Sequence, residues 1–227
     1  MIDTLLSFIA PHSCCSCGDI GQLLCQSCKY DIISEGFCVC VLCEKPTQSS
    51  AICGRCRLAT GITDAWCVGY REGSLKAVLD AYKFRSSREA SGYLAELLDA
   101  ALPFLPEDIV ITWVPTAPSH VRTRGMDHTR RVATRLAKQR GYTVGSYLER
   151  TSGDMQHLKT RQQRLRDADK NIISTRTAPD TVIIIDDILT TGATMTACVK
   201  KLRSAGSKQI YVAIAARQPG WESQNYR

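Results

Sequence analysis

Residues Val182 to Thr194 constrain this chain more than any other stretch: Val-Ile-Ile-Ile, then Asp-Asp-Ile-Leu, then Thr-Thr-Gly-Ala-Thr. An unbroken run of β-branched apolar residues predicts a strand buried on both faces, as parallel sheets require. Asp186 and Asp187 stand where that strand is expected to end, and a helix is expected from Met195 to Ala205, closed by Gly206. Strand, small-residue loop and helix N-terminus together make an anion site, because backbone N–H groups and the positive helix end converge there. Thr190, Thr191 and Thr194 add hydroxyl donors, and Gly192 lets the backbone come close to a phosphate. Asp186 and Asp187 repel an anion, so they suit sugar hydroxyls or a Mg²⁺ ion instead. A ribose with a 5′-phosphate combines these demands. The alternative is an ordinary strand, turn and helix with a solvated acid pair.

The cysteines define a second region. Of 12 in the chain, ten fall between Cys14 and Cys56, and eight of these form C-x2-C pairs: Cys14/Cys17, Cys25/Cys28, Cys40/Cys43 and Cys53/Cys56. Two thiolates on one such knuckle can face the same ion, and two knuckles complete a tetrahedral zinc site. Neighbouring knuckles would give one site from Cys14, Cys17, Cys25 and Cys28 and another from Cys40, Cys43, Cys53 and Cys56. A cross-braced pairing, a single occupied site, or a register using Cys15 or Cys38 are the alternatives. Four thiolates leave no open position, so the zinc is expected to be structural, and it should supply much of the folding energy of so short a segment. Gly18 and Gly54 are read as turn residues of the knuckles. Cys67 and Cys198 read as buried thiols.

At 227 residues the chain fits a small N-terminal unit, residues 1–60, and one ordinary domain, residues 61–227. The net charge of +7 permits a polyanionic partner without requiring one. Met1 to Ala10 is too short to cross a membrane and lacks the basic start of a secretion signal. Its Leu5, Leu6, Phe8 and Ile9 read as a short amphipathic helix, and a cytoplasmic protein with no membrane span is expected.

In the body, Ala65–Arg71 is expected as an edge strand, Gly73–Phe84 as a helix, and Leu94, Leu97, Leu98, Ala101 and Leu102 as the stripe of another. A capping box of Ser86 and Glu89 precedes that stripe. Lys83 and Arg85 lie between the two helices, where they could reach an anion or mark a solvated corner. Ile109–Val114 is the next strand. A basic turn follows, from Thr116 to His128 with Arg122 and Arg124, and then a helix from Thr129 to Arg140. Thr143–Leu148 and Gln209–Ala216 are further strands. Arg150 to Thr177, carrying Arg161 and Arg164, suits a mobile lid, with a solvated loop or surface helix as the alternative. Strands alternating with helices give a doubly wound, mostly parallel α/β domain with its crevice at the carboxyl ends of the strands.

Four apolar residues, two acids and T-T-G-x-T resemble the phosphoribosyl pyrophosphate (PRPP) signature of type I phosphoribosyltransferases. Paired knuckles, Tyr70, Lys83-Phe84, Val114-Pro115, Arg124-Gly125, Gln156-x-Leu158 and that terminal signature, taken in order, make the whole chain resemble the ComF family. The resemblance implies a type I phosphoribosyltransferase fold behind an N-terminal zinc ribbon. It also implies handling of single-stranded DNA, in company with DNA-uptake proteins, during natural transformation. On that basis Thr190, Thr191, Gly192, Ala193 and Thr194 hold the 5′-phosphate, and Asp186 and Asp187 hold ribose hydroxyls directly or through Mg²⁺. Arg122, Arg124, Arg161 and Arg164 face the pyrophosphate, and a nitrogen nucleophile is the expected acceptor. Sensing PRPP without catalysis, or a basic track for single-stranded DNA, are the rival readings. The chain reads Arg124-Gly125-Met126-Asp127-His128 where the family usually has R-G-F-N-Q. An Asp beside a pyrophosphate is unhelpful unless it faces Mg²⁺ or the protein.

Overall fold

The computed structural model describes residues 13–48, 51–84, 89–124, 126–151 and 169–219. In chain order the helices are α1 (Gln26–Glu35), α2 (Gly54–Thr60), α3 (Gly73–Phe84), α4 (Ala90–Ala101), α5 (Pro118–Arg124), α6 (His128–Arg140) and α7 (Ala193–Ser204). The strands are β1 (Asp64–Tyr70), β2 (Val110–Trp113), β3 (Thr143–Val144), β4 (Leu148–Arg150), β5 (Ile172–Ser174), β6 (Thr181–Leu189) and β7 (Gln209–Arg217). Five of them form one all-parallel sheet in the order β1-β7-β6-β2-β3, while β4 and β5 pair apart as an antiparallel ribbon.

β6 is the central strand, and its sequence explains why. Val182, Ile183, Ile184 and Ile185 are wholly buried, and each such side chain contributes about 1.5–3 kcal/mol on leaving water. Because side chains alternate along a strand, Ile183 and Ile185 meet the apolar stripes of α3, α4 and α6, including Leu79, Leu94, Leu98 and Leu136. Val182 and Ile184 meet Met195, Val199 and Leu202 of α7 on the other face. The chain leaves β2 towards β3 on one side and β6 towards β7 on the other. The carboxyl ends of β2 and β6 therefore flank a topological switch point, where an open α/β sheet leaves room for a ligand.

Two small cysteine modules cover the sheet, one on each face. They are built alike. Ser13 bridges Ile20 in the first and Val39 bridges Pro46 in the second, and Cys25 and Cys53 each stand just before a helix. Leu23, Leu24 and Ile32 of the first module join the cluster under α3 and α4, with Lys29 reaching Glu96 at 2.5 Å. Val41, Leu42, Ala51 and Ile52 of the second join the α7 side. The second module also touches the sheet edge, where the Ala51 N–H donates to the Ala65 carbonyl of β1 at 2.7 Å.

Several local expectations are corrected. β6 runs through the two acids to Leu189, because β7 continues alongside it as far as Arg217. The ladder to β2 does stop at Trp113 opposite Ile185, so the acids mark the end of the sheet on that side only. α7 starts at Ala193, two residues ahead of the expected Met195, and ends at Ser204. The basic turn after β2 contains helix α5, with Pro118 at its first position, where a missing N–H costs nothing. The stretch 143–148 divides: Thr143–Val144 joins the main sheet and Leu148 starts the ribbon with Ile172–Ser174, a strand inside the expected lid. Gly18 does adopt a left-handed turn (φ +83°), whereas Gly54 opens α2 without one. The expected N-terminal helix, Ser86, Gln156 and Leu158, and the tail with Trp221 lie outside the described residues.

Candidate functional site

The β6–α7 junction gathers the chemistry. Past Ile185 the β2 side of the strand is vacated, the last tie being the Val114 N–H to the Ile185 carbonyl at 2.9 Å. A small cleft opens here, lined by Asp186, Ile188 to Thr194 and Met195. Gly192 takes a left-handed conformation (φ +74°) that turns the chain into α7. This lines the cleft with the first turn of the helix, whose N–H groups have no carbonyl partner within the helix. The Thr191 hydroxyl accepts from the Ala193 N–H at 3.2 Å and is buried, whereas Thr190 is exposed and Thr194 half-buried.

The two acids differ. Asp187 extends to the Lys83 ammonium at 2.8 Å and also accepts from the Ile188 N–H at 2.7 Å. Asp186 is buried and accepts from the Asp187 N–H at 2.9 Å. Burial, then the neighbouring Asp187 charge, pushes the Asp186 carboxyl well above the usual range, with Lys83 opposing. A carboxyl raised by folding favours the folded state at low pH, and that advantage is lost as pH rises through the raised value. Asp186→Asn is therefore expected to melt higher than the wild type at pH 8. The gain should be about 2–4 °C for each kcal/mol recovered in a chain of this size. It should shrink on acidification towards the ordinary carboxyl range. Melting curves at several pH values check this, and a variant that melts lower at pH 8 refutes it.

Asp127 faces the protein. It caps α6 by accepting from the Arg130 N–H at 3.1 Å, and it also accepts from the Thr116 hydroxyl at 2.9 Å and the Trp113 indole N–H at 3.2 Å. These bonds fix the segment that leaves β2 beside Asp186, and they use the carboxylate's charge within the protein. Arg122 sits exposed on α5, in that same segment. Arg124 closes α5, and its side chain, like residues Arg161 and Arg164, lies outside what the structure describes.

Both cysteine sets are brought together in the neighbouring-knuckle pairing: Cys14, Cys17, Cys25 and Cys28, and Cys40, Cys43, Cys53 and Cys56, each with all sulfurs within 4.8 Å of one another. Cys17 to Cys25 and Cys43 to Cys53 are both 3.6 Å between sulfurs. A tetrahedron with Zn–S bonds of 2.3 Å has edges of about 3.8 Å, so both sets fit zinc. Cys15 and Cys38 stand outside both sets, and Cys67, whose thiol burial pushes up to about 12, is unsuited to nucleophilic chemistry.

Sequence reading missed how the second module meets the β6–α7 loop. Arg217, 1 % exposed, donates from Nη1 to the carbonyls of Leu189 (3.2 Å) and Thr190, and its Nη2 lies 3.1 Å from Glu44 Oε1. Glu44 is a non-glycine residue with a left-handed backbone (φ +58°), a conformation that costs an L residue roughly 1–2 kcal/mol. No short-range pattern links residues so far apart in the chain.

The phosphoribosyl transferase domain model matches residues 121–225, a span that contains the whole junction. Competence protein ComFC of Streptococcus pneumoniae (strain ATCC BAA-255 / R6) is 27% identical over 192 residues, covering 82% of this chain and 84% of that one. A hypoxanthine phosphoribosyltransferase from Staphylococcus aureus superposes over 62% of this chain and 70% of its own, with TM-score 0.39 and 12% identity. For a purine phosphoribosyltransferase from Pyrococcus horikoshii Ot3 the shares are 66% and 76%, with TM-score 0.32 and 17% identity. Sheet, junction and family match together define a phosphoribosyltransferase-like protein with an α/β fold. The likeness to ComFC extends beyond that domain to most of the chain.

Proposed function

We propose that the β6–α7 junction binds PRPP or another 5′-phosphorylated ribose with Mg²⁺. The observation that carries this is the convergence of the acid pair with the Thr190–Thr194 loop at the sheet's switch point. The loop and the first turn of α7 receive the 5′-phosphate, and Thr190, Thr191 and Thr194 add hydroxyl donors. Asp186 and Asp187 supply hard carboxylate oxygens of the kind Mg²⁺ takes alongside water and substrate oxygens. Bound there, Mg²⁺ would neutralise charge on the sugar and pyrophosphate oxygens. Until a ligand arrives, Lys83 balances Asp187. Arg122, with Arg124, Arg161 and Arg164, neutralises the pyrophosphate, and a nitrogen nucleophile receives the phosphoribosyl group.

Residues 1–60 form a zinc-holding unit on the transferase domain of residues 61–227. The likeness to a competence protein supports a cytoplasmic role in DNA uptake, with single-stranded DNA as the polyanionic partner. No helix among the described residues is long and apolar enough to cross a membrane. Calorimetric titration of the full chain with PRPP, with and without Mg²⁺, tests the reading. Mg²⁺-dependent binding is the expected result. No heat with PRPP, and none with ribose 5-phosphate, would sink it.

A further inference from the structure

The two knuckles differ at one informative position. After Cys17 the first module has Gly18 (φ +83°), whose N–H donates to the Cys14 carbonyl at 2.9 Å. After Cys43 the second has Glu44 (φ +58°), whose N–H donates to the Cys40 carbonyl at 2.8 Å. Both positions share a left-handed backbone and the same hydrogen bond, and a side chain is disfavoured in that conformation. A glutamate held there against its own preference points to a use for the carboxylate.

That use is visible in its partner. Glu44 meets the buried Arg217, and Arg217 holds the Leu189 and Thr190 carbonyls. In a trans peptide the C=O of one residue and the N–H of the next point in opposite directions. Drawing the Thr190 carbonyl towards Arg217 thus turns the Thr191 N–H away from it. From the same knuckle, Leu42 abuts the loop so closely that a Cβ on Gly192 would lie 2.5 Å from its Cδ2. Ser16, which takes Leu42's place in the first knuckle, instead meets the Ser74 hydroxyl at 2.8 Å.

We propose that Glu44 and Leu42 are positioning residues for the phosphate loop: the second cysteine cluster, through Glu44 and Arg217, sets the geometry in which Thr190 to Thr194 receive an anion. The proposal rests on the phosphate-binding reading above and adds a regulatory consequence to it. Ligand affinity follows the metal content of the second cluster, and among the described residues no such contact joins the first cluster to the loop.

Glu44→Gly and Glu44→Gln, made in the full chain, test it. The glycine variant restores the first module's knuckle and relieves its backbone, so a role confined to folding predicts unchanged or improved behaviour. The proposal predicts unchanged zinc content, about tenfold faster amide exchange across residues 190–194, and about tenfold weaker binding of ribose 5-phosphate by calorimetry. Wild-type exchange in both variants overturns it. Loss of zinc in both also overturns it, because Glu44 would then serve the knuckle alone. If the wild type binds no ribose 5-phosphate, the phosphate-site reading fails, while the exchange measurement still decides whether Glu44 holds the loop.

Discussion

The Asp186→Asn/Asp187→Asn variant is expected to bind PRPP with Mg²⁺ at least about 100-fold more weakly than the intact protein. Amides keep the shape of both side chains but remove the negative charge that a hard cation requires. Hydrogen bonds that involve a charged group are worth about 1.5–3 kcal/mol each, and each 1.4 kcal/mol is a factor of ten. Losing the contacts of two carboxylates therefore exceeds two decades even with compensation by water. Lys83, left without its 2.8 Å partner, becomes an uncompensated cation near the site and could improve binding of bare phosphate. The informative comparison is thus PRPP with and without Mg²⁺ in both proteins. A variant that retains Mg²⁺-dependent affinity within a factor of three would remove the acids from the site.

Metal removal should have the largest effect on stability. A strong chelator is expected to lower the melting temperature by about 10 °C or more, in one transition. At about 2–4 °C per kcal/mol for chains of this length, that drop is only a few kcal/mol, far below the roughly 10–16 kcal/mol with which structural zinc binds finger peptides. The single transition follows from shared cores. Leu24 and Ile32 pack in one cluster with Leu94 and Leu98, and Val41 and Ile52 pack with Ile184 and Met195. Neither module can unfold without exposing one face of the sheet. Elemental analysis should find two zinc ions per chain before treatment. Melting unaffected by metal loss, or two separated transitions, would show the modules to be independent of the domain they cover.

Much of this architecture was legible because its causes are local. The Val182–Ile185 run has no comfortable place outside a doubly covered strand, and the C-x2-C spacing sets which thiols share a knuckle. The stripes of α3 and α4 follow from helical period alone. Boundaries depending on a neighbour were less legible. Nothing in Asp186 to Leu189 reveals that β7 is long enough to carry the strand past the acids. Thr143 and Leu148 share one apolar pattern yet belong to different sheets, a division made by partners distant in the chain. Asp127 looked like a poor phosphate neighbour because its three donors, Trp113, Thr116 and Arg130, cannot be assigned without the fold. Arg217 follows the last expected strand, Gln209–Ala216, with no sequence signal of its own, and its contacts with Glu44 and Thr190 exist only in three dimensions.

The hydrogen bond from Ala51 to Ala65 has a consequence for how the chain survives its own synthesis. β1 is an edge strand of the parallel sheet, carrying Trp66, Val68 and Tyr70, and an uncovered edge is where a second copy can pair to form aggregates. The second module covers part of that margin, and it precedes β1 in the chain, so it emerges from the ribosome first. A nascent chain that acquires its metal early presents a shielded border when the sheet closes. One that does not is expected to self-associate, so light scattering should rise together with metal loss in the chelator experiment. Metal supply would then govern how much protein reaches a usable state before ligand affinity matters.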